Sequence, residues 1–230
     1  MTTPSAPPTA SASVRERVSN LAHSSITTFQ QGYLRDDPKD VAALARLRRG
    51  AGRGAGEVPD LWTLIDTGEL HSTSEGDRPL GEQELTRAED ALHVALTLWA
   101  VHQQSRRTGM HQPSHHRQRP TGLGASVRRM MQPDQVDEPL RKRLVRAGAA
   151  PDLTALSQRL RDLVVLLRGE EIPLDYGLLA GQLYTWQWPG GAGTVRREWG
   201  RSFHAWHEPR PADAPPPDDA PPPAPPTPAD

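Results

Sequence analysis

Apolar side chains recur every third or fourth residue along most of this chain, and no stretch of four or more residues alternates convincingly at period two. That pattern predicts an all-α protein. A first helix is expected from Val14 to about Tyr33, with Val14, Val18, Leu21 and Phe29 near one face. Asp37-Pro38 is a helix start signal, and the helix after it carries Val41, Leu44 and Leu47 before ending in Arg46, Arg48 and Arg49. Pro59 opens a short helix with Leu61, Trp62, Leu64 and Ile65, and residues 66 to 81 are loop-like. The longest helix runs from about Gly81 to Arg107, with Leu85, Ala88, Leu92, Leu96 and Trp99 at core spacing.

A polar connection, Thr108 to Pro120, leads to two short amphipathic helices. In the first, Leu123, Val127 and Met131 form the apolar stripe, which turns Arg128 and Arg129 away from it. In the second, Val136, Leu140 and Leu144 form the stripe; Lys142 and Arg146 take the opposite face, flanked by Arg141 and Arg143. Leu153, Leu156, Leu160, Leu163 and Leu167 mark a helix from about Pro151 to Arg168, and Ile172-Pro173 breaks it. A further helix spans about Asp175 to Trp186. The segment VRREWGRSFHAW is read either as a stacking platform for single-stranded nucleic acid or as a helix capping the core; its two tryptophans and phenylalanine favour the second.

Both ends have a different composition. Residues 1–13, rich in Thr, Ser, Pro and Ala, and residues 207–230, an acidic proline-rich tail, are expected to be disordered. The formal net charge of −1 hides an uneven distribution. The tail holds Glu208, Asp213, Asp218, Asp219 and Asp230 against Arg210, which leaves the body with 26 basic and 23 acidic side chains. Nearly all the cations are arginines, whose planar fork fits phosphate oxygens in pairs. They concentrate in residues 121 to 146, where the few acids crowd the start of one helix.

Several chemistries are excluded. There is no cysteine, so disulfides and thiol nucleophiles are absent. The first residues lack the charged and apolar regions of a signal peptide, and no stretch approaches the roughly 20 apolar residues that span a membrane. A soluble cytoplasmic protein is the expectation. GAGRGAGEVPD, residues 50 to 60, lacks the lysine and Ser/Thr of a phosphate-binding loop; it reads as a flexible basic loop with Arg53 at its tip. His93 and His102, nine apart, do not have the spacing of a zinc helix and suit packing or surface roles. His111, His115 and His116 have no accompanying carboxylate; their segment, with Arg117 and Arg119, is either a mobile loop touching a polyanion or a plain solvated one. Glu170, Glu171 and Asp175 straddle a helix break with no basic partner nearby in sequence. No catalytic set, metal site or cofactor is expected.

Taken in order, ALARLRRG, EVPDLWTLID, GLGASVRRM, a basic helix ending LVRAG, LTALSQRLRDLVVLLRGEEIPLDYGLLAGQLYTW and VRREWGRSF resemble the small subunit of the type I-E Cascade complex, the CasB family. The resemblance covers roughly residues 38 to 206. It implies two small helical bundles joined into one elongated body: residues 14–107, then the basic polar loop 108–120, then 121–206 with the basic face. It also implies a non-catalytic part of an RNA-guided surveillance complex. There two copies would sit beside other Cascade subunits, contact crRNA and target DNA, and help hold the displaced strand. By the same resemblance the nucleic-acid-binding residues would be Arg48, Arg49, Arg106, Arg107, Arg117, Arg119, Arg128, Arg129, Lys142, Arg143 and Arg146, to which the loop reading adds Arg53. A helical adaptor whose basic face meets an acidic protein is the alternative. A helical DNA-binding regulator would need a helix-turn-helix that the sequence does not show.

Overall fold

The computed structural model describes residues 13–71, 79–114, 121–133 and 135–206. Among them are nine α-helices and no strand, so the all-α expectation holds. They are α1 (Val14–Leu34), α2 (Pro38–Gly50), α3 (Gly68–His71), α4 (Glu82–Gln103), α5 (Leu123–Arg129), α6 (Glu138–Gly148), α7 (Leu153–Gly169), α8 (Tyr176–Trp186) and α9 (Gly191–Ala205). Two 3-10 turns, Ala55–Glu57 and Pro59–Leu61, lie between α2 and α3. The segments expected to be disordered lie outside the described residues except for Ser13.

Polar side chains set where the helices begin. Ser13 is the N-cap of α1 in a reciprocal box with Glu16: each side chain bonds the other's backbone N–H. Asp37, Asp137, Asp152 and Asp175 cap α2, α6, α7 and α8, each accepting a backbone N–H that the helix itself leaves unpaired.

From Ala91 to Gln103 every residue of α4 is buried, so this helix is wrapped on all sides. α8 lies against α1 and α4 and also touches α9. Its approach to α1 needs a residue without a side chain: a Cβ on Gly181 would fall 2.2 Å from Ser19 Oγ. On α7, Leu156, Leu160, Leu163 and Leu167 are fully buried; each contributes about 1.5–3 kcal/mol. One apolar cluster includes Val18 and Ile26 of α1, Leu92 and Trp99 of α4, Leu160 of α7, Leu179 of α8 and Trp199 and Phe203 of α9.

Several sequence expectations need correction. Residues 66 to 81 are not all loop: α3 forms within them and buries Leu70. α4 stops at Gln103, before Arg107; Ser105 turns left-handed there (φ 61°), and Gln103 folds back to bond Thr108 O and Met110 N. Pro59 opens a single 3-10 turn, after which Trp62 projects with 66% of its surface exposed. Val136 precedes α6 and is exposed rather than buried, and Val41 on α2 is exposed too.

The start of the connection 108–120 is no solvated loop. Met110 and His111 are buried, and the backbone there bonds Leu174: Leu174 N–H donates to Met110 O, and Gln112 N–H to Leu174 O. Burial of these groups outweighs the polar character of the surrounding sequence.

Candidate nucleic-acid interface

α6 owes its boundaries to Asp137 at the N-cap and to Pro139 in its first turn, and it buries Leu144, Ala147 and Gly148, with Leu140 partly covered. Everything else on it faces outward. Arg141 is taken up by Glu138, 2.8 Å away, whose carboxyl is held below its ordinary range chiefly by that bond. Lys142, Arg143 and Arg146 are exposed and make no side-chain hydrogen bond or ion pair with the described residues. Neighbouring elements bring more cations to the end of this helix. Arg159 of α7 donates to Arg146 O, and Arg196 of α9 donates to Gly148 O at 3.4 Å. Both sit at the negative end of the α6 dipole, which explains why they converge there.

α5 is seated on α9 through Gly124, where a Cβ would fall 2.0 Å from Trp199 O. This fixes Arg128 and Arg129, both half-buried, beside α9. The Arg128 guanidinium curls over the end of its own helix, donating to Gln132 O at 2.8 Å and to Pro133 O. It also lies 5.6 Å from the Trp206 ring, which closes α9. Arg196, Arg197 and Arg201 are exposed along α9, whose apolar side buries Val195, Trp199 and Phe203. The capping-helix reading of this segment is therefore correct for Trp199 and Phe203 but not for Trp206, which lies past the helix end and is only half-buried, and the arginines project outward.

Arg48 and Arg49 end α2, exposed and without a side-chain partner among the described residues. Arg53 follows on the glycine-rich loop, donating to Glu57 O at 2.8 Å with the Glu57 carboxylate 4.0 Å away. That loop covers a cleft of about 230 Å³ shared with Asp90 and His93 of α4 and Thr154 and Ser157 of α7. α7 thus runs from this cluster to Arg159 at the end of α6.

Arg106 and Arg107 stand apart from both groups. They lie beyond the far end of α4, about 15 Å along the helix from His93 by its rise per residue. Arg106 pairs with Glu171 at 2.5 Å, and Arg107 is exposed. Together with Tyr33, Asp36 and Ser105 they line a polar recess. Arg117 and Arg119, like His115 and His116, lie outside the described residues.

Sequence reasoning missed the buried polar centre. His111 accepts the Tyr176 backbone N–H at Nδ1 (3.2 Å), so its ring proton sits on Nε2, 2.9 Å from Nδ1 of His23. Burial lowers the His111 pKa to about 4, although the Asp175 carboxylate pulls it upward. Asp175, which looked unpartnered in sequence, accepts from Ser114 N and Leu178 N. His102 bonds the Tyr176 hydroxyl at 3.0 Å, and burial takes its pKa down to about 3. Both histidines of α4 are core residues. Among the described residues no three His, Cys, Asp or Glu side chains gather as metal ligands. None of their helices is long and apolar enough to cross a membrane.

Fold and surface together define an all-helical protein with exposed arginine clusters on a rigid frame. The family model for CRISPR-associated protein Cse2 matches residues 43–204, and the chain belongs to that family. It is 47% identical to CasB from Thermobifida fusca, whose crystal structure superposes with a TM-score of 0.72 over 84% of this chain and 99% of that one. A chain in a solved CRISPR RNA-guided surveillance complex is 22% identical, with a TM-score of 0.57 over 81% of this chain and 93% of its own, a likeness of fold. No curated protein matches the chain.

Proposed function

We propose that the chain is a non-catalytic, cytoplasmic subunit of a type I-E Cascade surveillance complex. It binds crRNA and target DNA, both target and displaced strands, through basic helical surfaces and so stabilises the R-loop. Other Cascade subunits and a second copy of the chain are its protein partners. The observation that carries this reading is the exposed trio Lys142, Arg143 and Arg146 on α6, unpaired among the described residues, with Arg48 and Arg49 as a second cluster. Membership of the Cse2 family supplies the setting.

The mechanism is electrostatic. Each cation that settles on a phosphate releases condensed counterions, so affinity falls steeply with salt and owes nothing to base sequence. Helices hold the cations at set spacing, which reduces the ordering entropy lost on docking. Arg128 contributes less than its sequence position suggests, because its guanidinium already serves carbonyls of its own chain.

The test is R-loop formation by the reconstituted complex carrying Lys142→Ala/Arg146→Ala or Arg48→Ala/Arg49→Ala, with assembly and folding checked in parallel. R-loops should lose stability while assembly persists, and binding to duplexes of different sequence should fall evenly, with a log–log salt slope steeper than about −3 in the parent. Unchanged R-loops in both double variants refute the assignment of these cations.

A further inference from the structure

The described body ends at Trp206, beside Arg128, at the margin of the surface formed by α5, α6 and α9. The 24 residues that follow carry Glu208, Asp213, Asp218, Asp219 and Asp230 against Arg210 alone. We propose that this acidic segment, 207–230, docks on the α5–α6–α9 face of its own chain and competes there with nucleic acid. The competition rests on the function proposed above; the contact does not.

Three observations support it. First, the face is short of counter-charge. Of the carboxylates on these helices, Glu138 is held by Arg141, and Glu198 by Arg15 and Gln182. Lys142, Arg143, Arg146, Arg197 and Arg201 have no carboxylate within ion-pair distance among the described residues. Second, the reach is right. Asp213 is the seventh residue after Trp206 and Asp218 the twelfth, which chain geometry converts to at most about 25 and 40 Å. α6 has 11 residues and is about 16 Å long. Third, the exit point is itself on the face: Trp206 lies against the Arg128 guanidinium, so the acids emerge next to the cations they would meet. A tethered partner this close acts at an effective concentration in the millimolar range. Weak ion pairs, too feeble between separate molecules, are populated at that concentration. Carboxylates also offer arginine the same paired oxygens as a phosphate.

The chain has no cysteine, so Ala214→Cys gives one site for a paramagnetic label on the full-length protein. At low salt the label should broaden amide signals of α5, α6 and α9 while leaving the Tyr33–Asp36 corner sharp. The broadening should vanish in 0.5 M salt and in Asp213→Asn/Asp218→Asn/Asp219→Asn. In parallel, a chain ending at Trp206 should bind a single-stranded DNA oligonucleotide roughly 3- to 10-fold more tightly at low salt, with the difference closing as salt rises. No broadening on this face, or broadening that survives neutralisation of the aspartates, overturns the proposal. A truncation effect without broadening also overturns it, since it would reflect long-range repulsion rather than docking. Charge-dependent broadening with no DNA binding by either chain keeps the contact, refutes competition and sinks the nucleic-acid reading of the face.

Discussion

Acidification should destabilise this protein well above the pH at which its carboxylates protonate, and the buried histidines set the size of the effect. His102 and His111 are neutral in the core, with pKa values lowered to about 3 and about 4, mainly by burial. In the unfolded chain both return to about 6.5. Because the folded values are depressed, their stabilising share is complete above about pH 6.5 and shrinks as pH falls towards 4. At pH 5 the unfolded chain binds a proton at each ring that the folded chain refuses, at about 2 kcal/mol per histidine and about 4 kcal/mol for the pair. His93, also lowered by burial, adds in the same direction, while Asp90, raised by burial, acts against it. For a body of this size the loss corresponds to a Tm about 8–16 °C lower at pH 5.0 than at pH 7.5. Calorimetric melts across that range measure it. His102→Gln and His111→Gln should each lower Tm at pH 7.5, through lost hydrogen bonds, yet flatten the pH dependence by about half. A Tm at pH 5.0 within about 2 °C of that at pH 7.5 refutes the reasoning, as does a pH slope unchanged in the double variant.

Two further outcomes concern how the basic face is held. Gly124→Ala places a methyl against Trp199 O and Phe203 N, backbone atoms that cannot swing aside; α5 must lift from α9, at about 3 kcal/mol in urea titration, with faster hydrogen exchange confined to these helices. A loss below about 0.5 kcal/mol would show that the crossing is looser than described. Asp175→Ala removes both the N-cap of α8 and the acceptor for Ser114 N, at about 2–3 kcal/mol. It also takes away the carboxylate that favours the His111 cation, so the titration of that ring, followed by NMR, should move to lower pH.

Helix positions were legible because helical periodicity is local. The leucines of α7 announce its buried side three and four residues at a time, and the aspartate caps mark starts within a residue or two. The basic residues of α6 were legible for the same reason: Leu140 and Leu144 claim one side, and the 100° step leaves Lys142 and Arg146 opposite with Arg143 on the flank, although Val136, read as part of the same stripe, lies before the helix and is exposed. Trp62 failed, since a hydrophobic residue in a turn has no period to betray which way it points.

By itself, then, the sequence determined an all-helical body, the starts of its aspartate-capped helices and the residue types available for a basic face. Tertiary structure decided which of those cations remain unengaged. Glu171 reaches Arg106 from 65 residues away, and Arg159 and Arg196 gather at the end of α6 from two other helices. It also turned His111 and Asp175, 64 positions apart, from loop and helix-break residues into a buried polar centre. Spacing along one helix is set by backbone geometry that every residue shares; a meeting between distant segments depends on how the whole apolar cluster packs, and no local pattern encodes it.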